Sequence, residues 1–299
     1  MATHVITLYI LMVLVKSTHS IPIAKCEILD LTHTLEQNVP HPDVHPEFNL
    51  STVIRGPAGA IPYVSFNRIC SSEHMGTHID APSHFDAHGE PVHNIPLANI
   101  IGEACVVDVV DKVESNPNYL LSVDDIKHWE ETYGTLPDGA VLILKSGMEY
   151  LWKDANKFLG TDENGIYHWP GFSEDLSRWL VSNRPRIHAV GVETVGFDGG
   201  QELTHPAHRI ILGAGIPAFE NLAQIGKLPP RGATLIGPPL KIAKGTGSPI
   251  RAFAIGWNGL KDPCRTDSAS ESETRVRLVF VYIVTILAVI CIGATLYNA

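Results

Sequence analysis

Residues 73–88 read EHMGTHIDAPSHFDAH, the densest group of potential ligands in the chain. His74, His78, Asp80 and His84 are all even-numbered. In an extended segment they project to one side, because side chains alternate with period two. A helix would also bring His74 and His78 together, but Gly76, the β-branched Thr77 and Ile79, and Pro82 oppose one here. Imidazoles and a carboxylate converging on one face make a metal-ligand set. Nitrogen and oxygen donors without thiolate point to Zn or Mn. A solvated, His-rich loop is the plainer alternative. A second, weaker group lies downstream, with His205 and His208 ahead of Glu220. It gains weight because the first group leaves a metal short of ligands. The sequence contains no Gly-x-Ser-x-Gly elbow and no Walker A loop, so serine-hydrolase and P-loop chemistry lack support.

The elements that must position these residues are short. Apolar runs at 104–110, 140–144, 187–192, 209–212, 234–236 and 250–255 predict strands, several buried on both faces. Ser122 can cap a helix through Trp129 and Tyr133, with Asp124 and Asp125 in its first turn. Ser173 can cap another whose stripe is Leu176, Trp179 and Leu180. A third, short helix is expected at 220–225. The chain has 299 residues, 44% hydrophobic and 18% charged, enough for a sizeable core. We read one α/β domain over residues 21–267. A formal net charge of -10 argues against nucleic acid as a partner.

Both ends have a different character. Residues 5–15 are apolar except for Thr7, and Thr18 and Ser20 follow at cleavage-site spacing, which predicts a signal peptide over 1–20. The n-region has no Lys or Arg, and a buried first element is the alternative. Residues 278–297 carry no charge and follow a small-residue spacer, so 268–299 reads as a glycosylphosphatidylinositol attachment signal or a transmembrane helix. Arg275 and Arg277 before that run, with no positive charge after it, favour the lipid anchor. The expected setting is the outer face of the plasma membrane. There Cys26, Cys70, Cys105 and Cys264 are disulfide candidates, with a bridge between the terminal pair plausible on position. Asn49 begins a glycosylation sequon.

The run from His74 to His84 closely resembles the His-x-Gly-Thr-His-x-Asp-x-Pro-x-His signature of the metal-dependent cyclase family. That family includes bacterial-type kynurenine formamidase and isatin hydrolase. Residues 30–35 resemble its first strand, and His208 and Glu220 its second ligand pair. The resemblance implies a swivelling β/β/α fold, usually dimeric, with two divalent ions. His74, His78 and Asp80 would hold the first ion, Asp80 and His208 the second, and Glu220 both. His84 would be the general acid/base. The implied chemistry is water activation and carbonyl polarisation at an aryl amide, with N-formyl-L-kynurenine ranked first and isatin or another cyclic amide or lactone second. Where the family often has an aromatic Trp-Pro, this chain has His41, which makes the expected pocket more polar. A membrane-anchored metal-binding protein without turnover, or an adhesion module on an enzyme fold, are the non-hydrolase readings.

Overall fold

The computed structural model describes residues 28–42 and 47–256. The expected signal peptide at 1–20, Cys26, Cys264 and the tail at 268–299 lie outside the described residues. Among the described residues, no helix is long and apolar enough to cross a membrane.

Strands in chain order are β1 (Ile28–Asp30), β2 (Asn49–Ala58), β3 (Ile61–Cys70), β4 (His78–Asp80), β5 (Ile101–Asp108), β6 (Leu120–Leu121) and β7 (Val141–Lys145). They continue with β8 (Gly171–Phe172), β9 (Ala189–Val192), β10 (Ala218–Glu220), β11 (Ala233–Ile236), β12 (Gly247–Pro249) and β13 (Phe253–Ile255). The helices are α1 (Val110–Ser115), α2 (Val123–Tyr133), α3 (Ala155–Leu159), α4 (Glu174–Asn183) and α5 (Pro206–Gly213).

Nine strands form one mixed sheet in the order β1-β13-β11-β5-β7-β9-β10-β4-β12. Its centre, β5-β7-β9-β10, is parallel, and antiparallel strands flank it. Alternation along the central strands divides two cores. Cys105, Val107, Leu142, Leu144, Val190 and Val192 face a helical layer with Trp129, Leu176, Leu180 and Ile211. Ala104, Val106, Val141, Ile143 and Ala189 face the other way, against Phe219, Leu222, Ile225 and Leu235. Burial on both faces explains why these strands read as unbroken apolar runs.

The expected helix after Ser122 is α2. Its cap is a reciprocal pair, Ser122 Oγ accepting from Asp125 N while the Asp125 carboxylate accepts from Ser122 N. Ser173 Oγ likewise accepts from Leu176 N at the start of α4.

Three expectations are corrected. The run at 209–212 is helical, within α5. A four-residue apolar run carries too little periodicity to separate a buried helix from a strand, and Pro206 occupies the first-turn position where its missing N–H costs nothing. Residues 220–225 are not a helix. Glu220 closes β10, held by pairing with β4, and Asn221 turns away with φ 54°. Finally, Cys70 and Cys105 are free thiols. Cys105 sits wholly inside the helical-side core, where burial pushes its thiol pKa up to about 12 and keeps it inert, while Cys70 is exposed at the end of β3.

Replacing Ser122 with Ala should cost about 1 kcal/mol of stability in a urea melt, the usual loss for a helix cap. Metal content should not change, because α2 supplies no ligand.

Candidate metal centre

β4 is the short strand on which the site is built. Lying between β10 and β12, it places His78 opposite Glu220 and Asp80 opposite Ala218. His78 and Asp80 are two residues apart and share a face. His74 arrives from the preceding turn, which Gly76 makes possible with φ 63°. Gly247 on β12 leaves room for that ring: a Cβ there would meet His74 Cε1 at 2.6 Å. α5 contributes His208 from the other side of the cluster.

The donor atoms crowd together. His78 Nε2 lies 3.3 Å from Asp80 Oδ1 and 3.3 Å from Glu220 Oε2. His208 Nε2 lies 3.5 Å from Asp80 Oδ2 and 3.2 Å from Glu220 Oε1. His74 Nδ1 lies 2.6 Å from Asp80 Oδ1. Asp80 and Glu220 are almost completely buried. Burial would raise both carboxyl pKa values, yet the imidazoles around them hold both below the usual range. Burial would likewise lower His78 and His208, but the carboxylates beside them raise them: Asp80 and Glu220 take His78 to about 10, and Asp198 foremost raises His208.

A divalent ion fits this set. His78 Nε2 and Asp80 Oδ2 are buried without any hydrogen-bond partner, although opposite charges stand close by. Separations of 3.2–3.5 Å are long for hydrogen bonds. They match the ~3.3 Å edge of a tetrahedron whose ligands lie ~2.0–2.1 Å from a metal. Among the described residues three groups of three could hold an ion: His74–His78–Asp80 and Asp80–His208–Glu220, which share Asp80, and Asp198–His205–His208, which meets the second at His208.

The remaining ring nitrogens are fixed from behind. His78 Nδ1 donates to Gly76 O at 2.9 Å, and His208 Nδ1 donates to Asp198 Oδ2 at 2.6 Å, leaving each Nε2 free to face the cluster. Thr246 Oγ1 stands 2.9 Å from His74 Nε2 and donates to Glu73. His84 is less buried. Its ring stacks on His74 with centroids 3.9 Å apart, and its Nε2 stands 4.0 Å from Asp80 Oδ2. Burial lowers its pKa to about 4, so it is neutral at physiological pH.

Beside the cluster opens a cavity of about 500 Å³. His41, Phe85, Tyr167, Trp169 and Leu203 wall it, with His74, His78, His84, His208 and Glu220 at its base.

All six residues singled out for chemistry in the sequence, His74, His78, Asp80, His84, His208 and Glu220, therefore meet in one place, and His41 lines the same cavity. Asn49 is elsewhere, exposed at the start of β2. His88 lies on a turn and His93 on a short 3-10 helix (Val92–Asn94), both outside the cavity lining, and His45 is outside the described residues. Sequence reasoning missed Asp198 and Thr246, and it gave Tyr167 and Trp169 no individual role. Asp198 sits in a Gly-rich stretch read only as turns. Its one signal was a carboxylate ten residues ahead of His208.

The family model Cyclase, described as "Putative cyclase", matches residues 29–199. Isatin hydrolase of Roseibium aggregatum is 32% identical over 243 residues, covering 77% of this chain and 91% of that protein. Kynurenine formamidase of Salinibacter ruber is 32% identical over 199 residues, covering 63% and 79%.

This chain belongs to the cyclase family. Among solved structures, an isatin hydrolase bound to the product analogue thioisatinate superposes with a TM-score of 0.72 at 31% identity, covering 79% of this chain and 94% of that one. Isatin hydrolase A from Labrenzia aggregata, bound to benzyl benzoate, gives a TM-score of 0.71 at 32% identity, covering 83% and 99%. The protein is a cyclase-family metal-dependent hydrolase, of the class acting on non-peptide C–N bonds.

Asp198 also accepts from the Ala207 and His208 amides, at 2.7 and 3.0 Å, so one carboxylate both caps α5 and aims its histidine. Asp198→Asn keeps one acceptor oxygen, enough for one of the two amides, and turns an NH2 toward the remaining donors, so the charged acceptor for Nδ1–H is lost. It should weaken metal binding about 10–100-fold, measured by competition with a chelator, and lower the melting temperature of the metal-free protein through the lost amide bond at the start of α5.

Proposed function

We propose that this protein hydrolyses a cyclic aryl amide of the isatin type, with His74, His78, Asp80, His208 and Glu220 holding divalent Zn or Mn. The observation that carries the substrate choice is the lining of the cavity. It has aromatic walls at His41, Phe85, Tyr167 and Trp169 and, among the described residues, no Lys or Arg. A flat ring suits such walls. The amino acid tail of N-formyl-L-kynurenine would bring a carboxylate beside Asp198, Glu202 and Glu220, in a lining that has no Lys or Arg to pair with it. This reverses the order expected from His41 alone. That residue does add polarity, but its Nδ1–H donates to Pro42 O at 2.9 Å and leaves the imidazole face as part of the wall.

A bound divalent ion supplies Lewis-acid polarisation of a carbonyl and a water acidic enough to lose its proton near neutral pH. The protein's own groups do the rest. His84, neutral and at the open edge of the cluster, takes the proton from the attacking water and returns it to the leaving aniline nitrogen. Its stack on His74 fixes the ring plane, and Asp80 beside it favours the imidazolium that forms between the two transfers. Trp169 keeps its own polar edge occupied by donating to Asp198 O at 2.9 Å, so it presents a wall rather than a donor. An extracellular, membrane-anchored setting is part of the proposal on the sequence of 1–20 and 268–299 alone.

The test is kcat/KM for isatin and N-formyl-L-kynurenine on the metal-loaded protein, alongside His84→Ala. Isatin should be opened more efficiently. The variant should keep its metal and lose about 10²–10⁴ in kcat. Preferential turnover of formylkynurenine would overturn the substrate assignment, and loss of metal from His84→Ala would make that residue a ligand.

A further inference from the structure

Three histidines reach the cluster, and two of them are held alike. His78 and His208 each donate Nδ1–H to a protein oxygen and turn Nε2 inward, toward Asp80 and Glu220. His74 is set the other way round. Its Nδ1 lies 2.6 Å from Asp80 Oδ1, on the cluster side, and its Nε2 lies 2.9 Å from Thr246 Oγ1, behind the ring. Thr246 and its partner Glu73 have no part in the chemistry above.

The Thr246 hydroxyl decides which nitrogen of His74 carries hydrogen. It has one proton to give, and an ionised carboxylate can only accept. Thr246 Oγ1 stands 2.9 Å from Glu73 Oε2, and the same carboxylate oxygen accepts the Thr246 N–H at 2.9 Å. With the hydroxyl proton directed at Glu73, the hydroxyl oxygen presents a lone pair to the imidazole, and Nε2 must bear the hydrogen that meets it. Were Nε2 the acceptor instead, the Thr246 and Glu73 oxygens would face each other at 2.9 Å with no proton between them.

The backbone is shaped around this pair. β12 lies beside β4 with Gly247 opposite Asp80, and Ala81 N donates to Thr246 O at 2.8 Å, so the strand pairing that places Asp80 also places Thr246. Glycine stands on either side of Thr246. A Cβ at Gly245 would meet Glu73 Oε1 at 2.6 Å, and one at Gly247 would meet His74 Cε1 at 2.6 Å. Neither glycine has positive φ, so close approach of Glu73 and His74, and not backbone conformation, is what calls for glycine there.

We propose that Glu73 and Thr246 are positioning residues for the metal centre: together they keep hydrogen on His74 Nε2, so that His74 binds a divalent ion through Nδ1 while His78 and His208 bind through Nε2. A carboxylate behind a ligating imidazole fixes its tautomer and raises its basicity, and here the Thr246 hydroxyl carries that influence across one further hydrogen bond. Because His84 stacks on His74, the same pair also steadies the general acid/base. The proposal rests on the metal reading of the cluster and is independent of which amide is the substrate.

The full-length chain in mild detergent, loaded with Zn and carrying isotope-labelled nitrogen in its histidine rings, allows a direct test. Magnetic resonance correlating each ring nitrogen with the carbon-bound ring protons separates a metal-bound nitrogen from one that carries hydrogen. A single metal-bound ring should be coordinated through Nδ1 with hydrogen on Nε2, and Thr246→Val should shift that ring's Nε2 resonance more than those of the other bound rings. In chelator competition Thr246→Val should weaken Zn binding by about 10–100-fold, and Thr246→Ser should restore it. Glu73→Ala should weaken it too, because the freed hydroxyl can then turn its proton to Nε2 and place hydrogen on the nitrogen that the metal needs. If Thr246→Val fails to fold, Glu73→Ala carries the test. All metal-bound rings coordinated through Nε2, or Zn affinity unchanged in the folded variants, would overturn the proposal. So would a Thr246→Ser protein as weak as Thr246→Val, which would mark a packing defect. Wild type that takes up no Zn would overturn the metal reading itself and the proposal with it.

Discussion

Two carboxylates, Asp80 and Glu220, are buried side by side in the interior of this protein, and that arrangement needs positive charge between them. Each would otherwise raise the pKa of the other and lose its own charge. His78 and His208 stand close enough to supply that charge as imidazolium ions, but their separations suit shared coordination better than hydrogen bonding. The short β4 exists in this context. Its pairing with β10 puts His78 opposite Glu220, and its place beside β12 brings Gly247 under the His74 ring. A cation at the centre would displace protons from the histidines and let each keep a neutral, ligating Nε2.

The parallel centre of the sheet and the connections around it have separate tasks. β5, β7 and β9 are buried on both faces and carry none of the proposed ligands. The ligands come from the flanking β4 and the end of β10, from the turn before β4, and from the first turns of α5. Such connections can vary without disturbing the core, and here the cavity walls lie on them too. Tyr167 and Trp169 precede β8, while Asp198 and Leu203 lie in the connection between β9 and α5. Rigidity is then restored locally. Asp198 accepts three N–H groups from α5, and Asn221 ties β10 to the turn at Gly76, its side chain donating to Gly76 O while its carbonyl accepts from Thr77 Oγ1.

The first ligand group was legible because it is local: a period-two pattern in an extended segment needs no knowledge of the rest of the chain. The central strands were legible for a related reason, since burial on both faces leaves an unbroken apolar run. What could not be read depends on distance. Residues 209–212 have a strand-like composition, and only the docking of Ala207, Ile211 and Leu212 into the core makes them a helix. Glu220 looked like a helix N-terminus because its partner, β4, is 140 residues away in the chain. Asp198 was hidden among glycines, and its role becomes visible only when α5 is placed. The pairing of Cys70 or Cys105 failed because one is at a hairpin end and the other within the sheet. The cavity wall was half legible: His41 was flagged by its departure from a pattern, whereas Tyr167 and Trp169 looked like ordinary core aromatics.

The central claim is that these five side chains surround metal rather than one another. Anomalous diffraction from crystals of the protein, purified without chelators and measured at the Zn and Mn edges, addresses it directly. The account predicts one or two anomalous peaks, each ~2.0–2.2 Å from its ligand atoms, with Asp80 or Glu220 among the ligands of every peak. No peak at either edge, with His78 and His208 hydrogen-bonded directly to the two carboxylates, would contradict it.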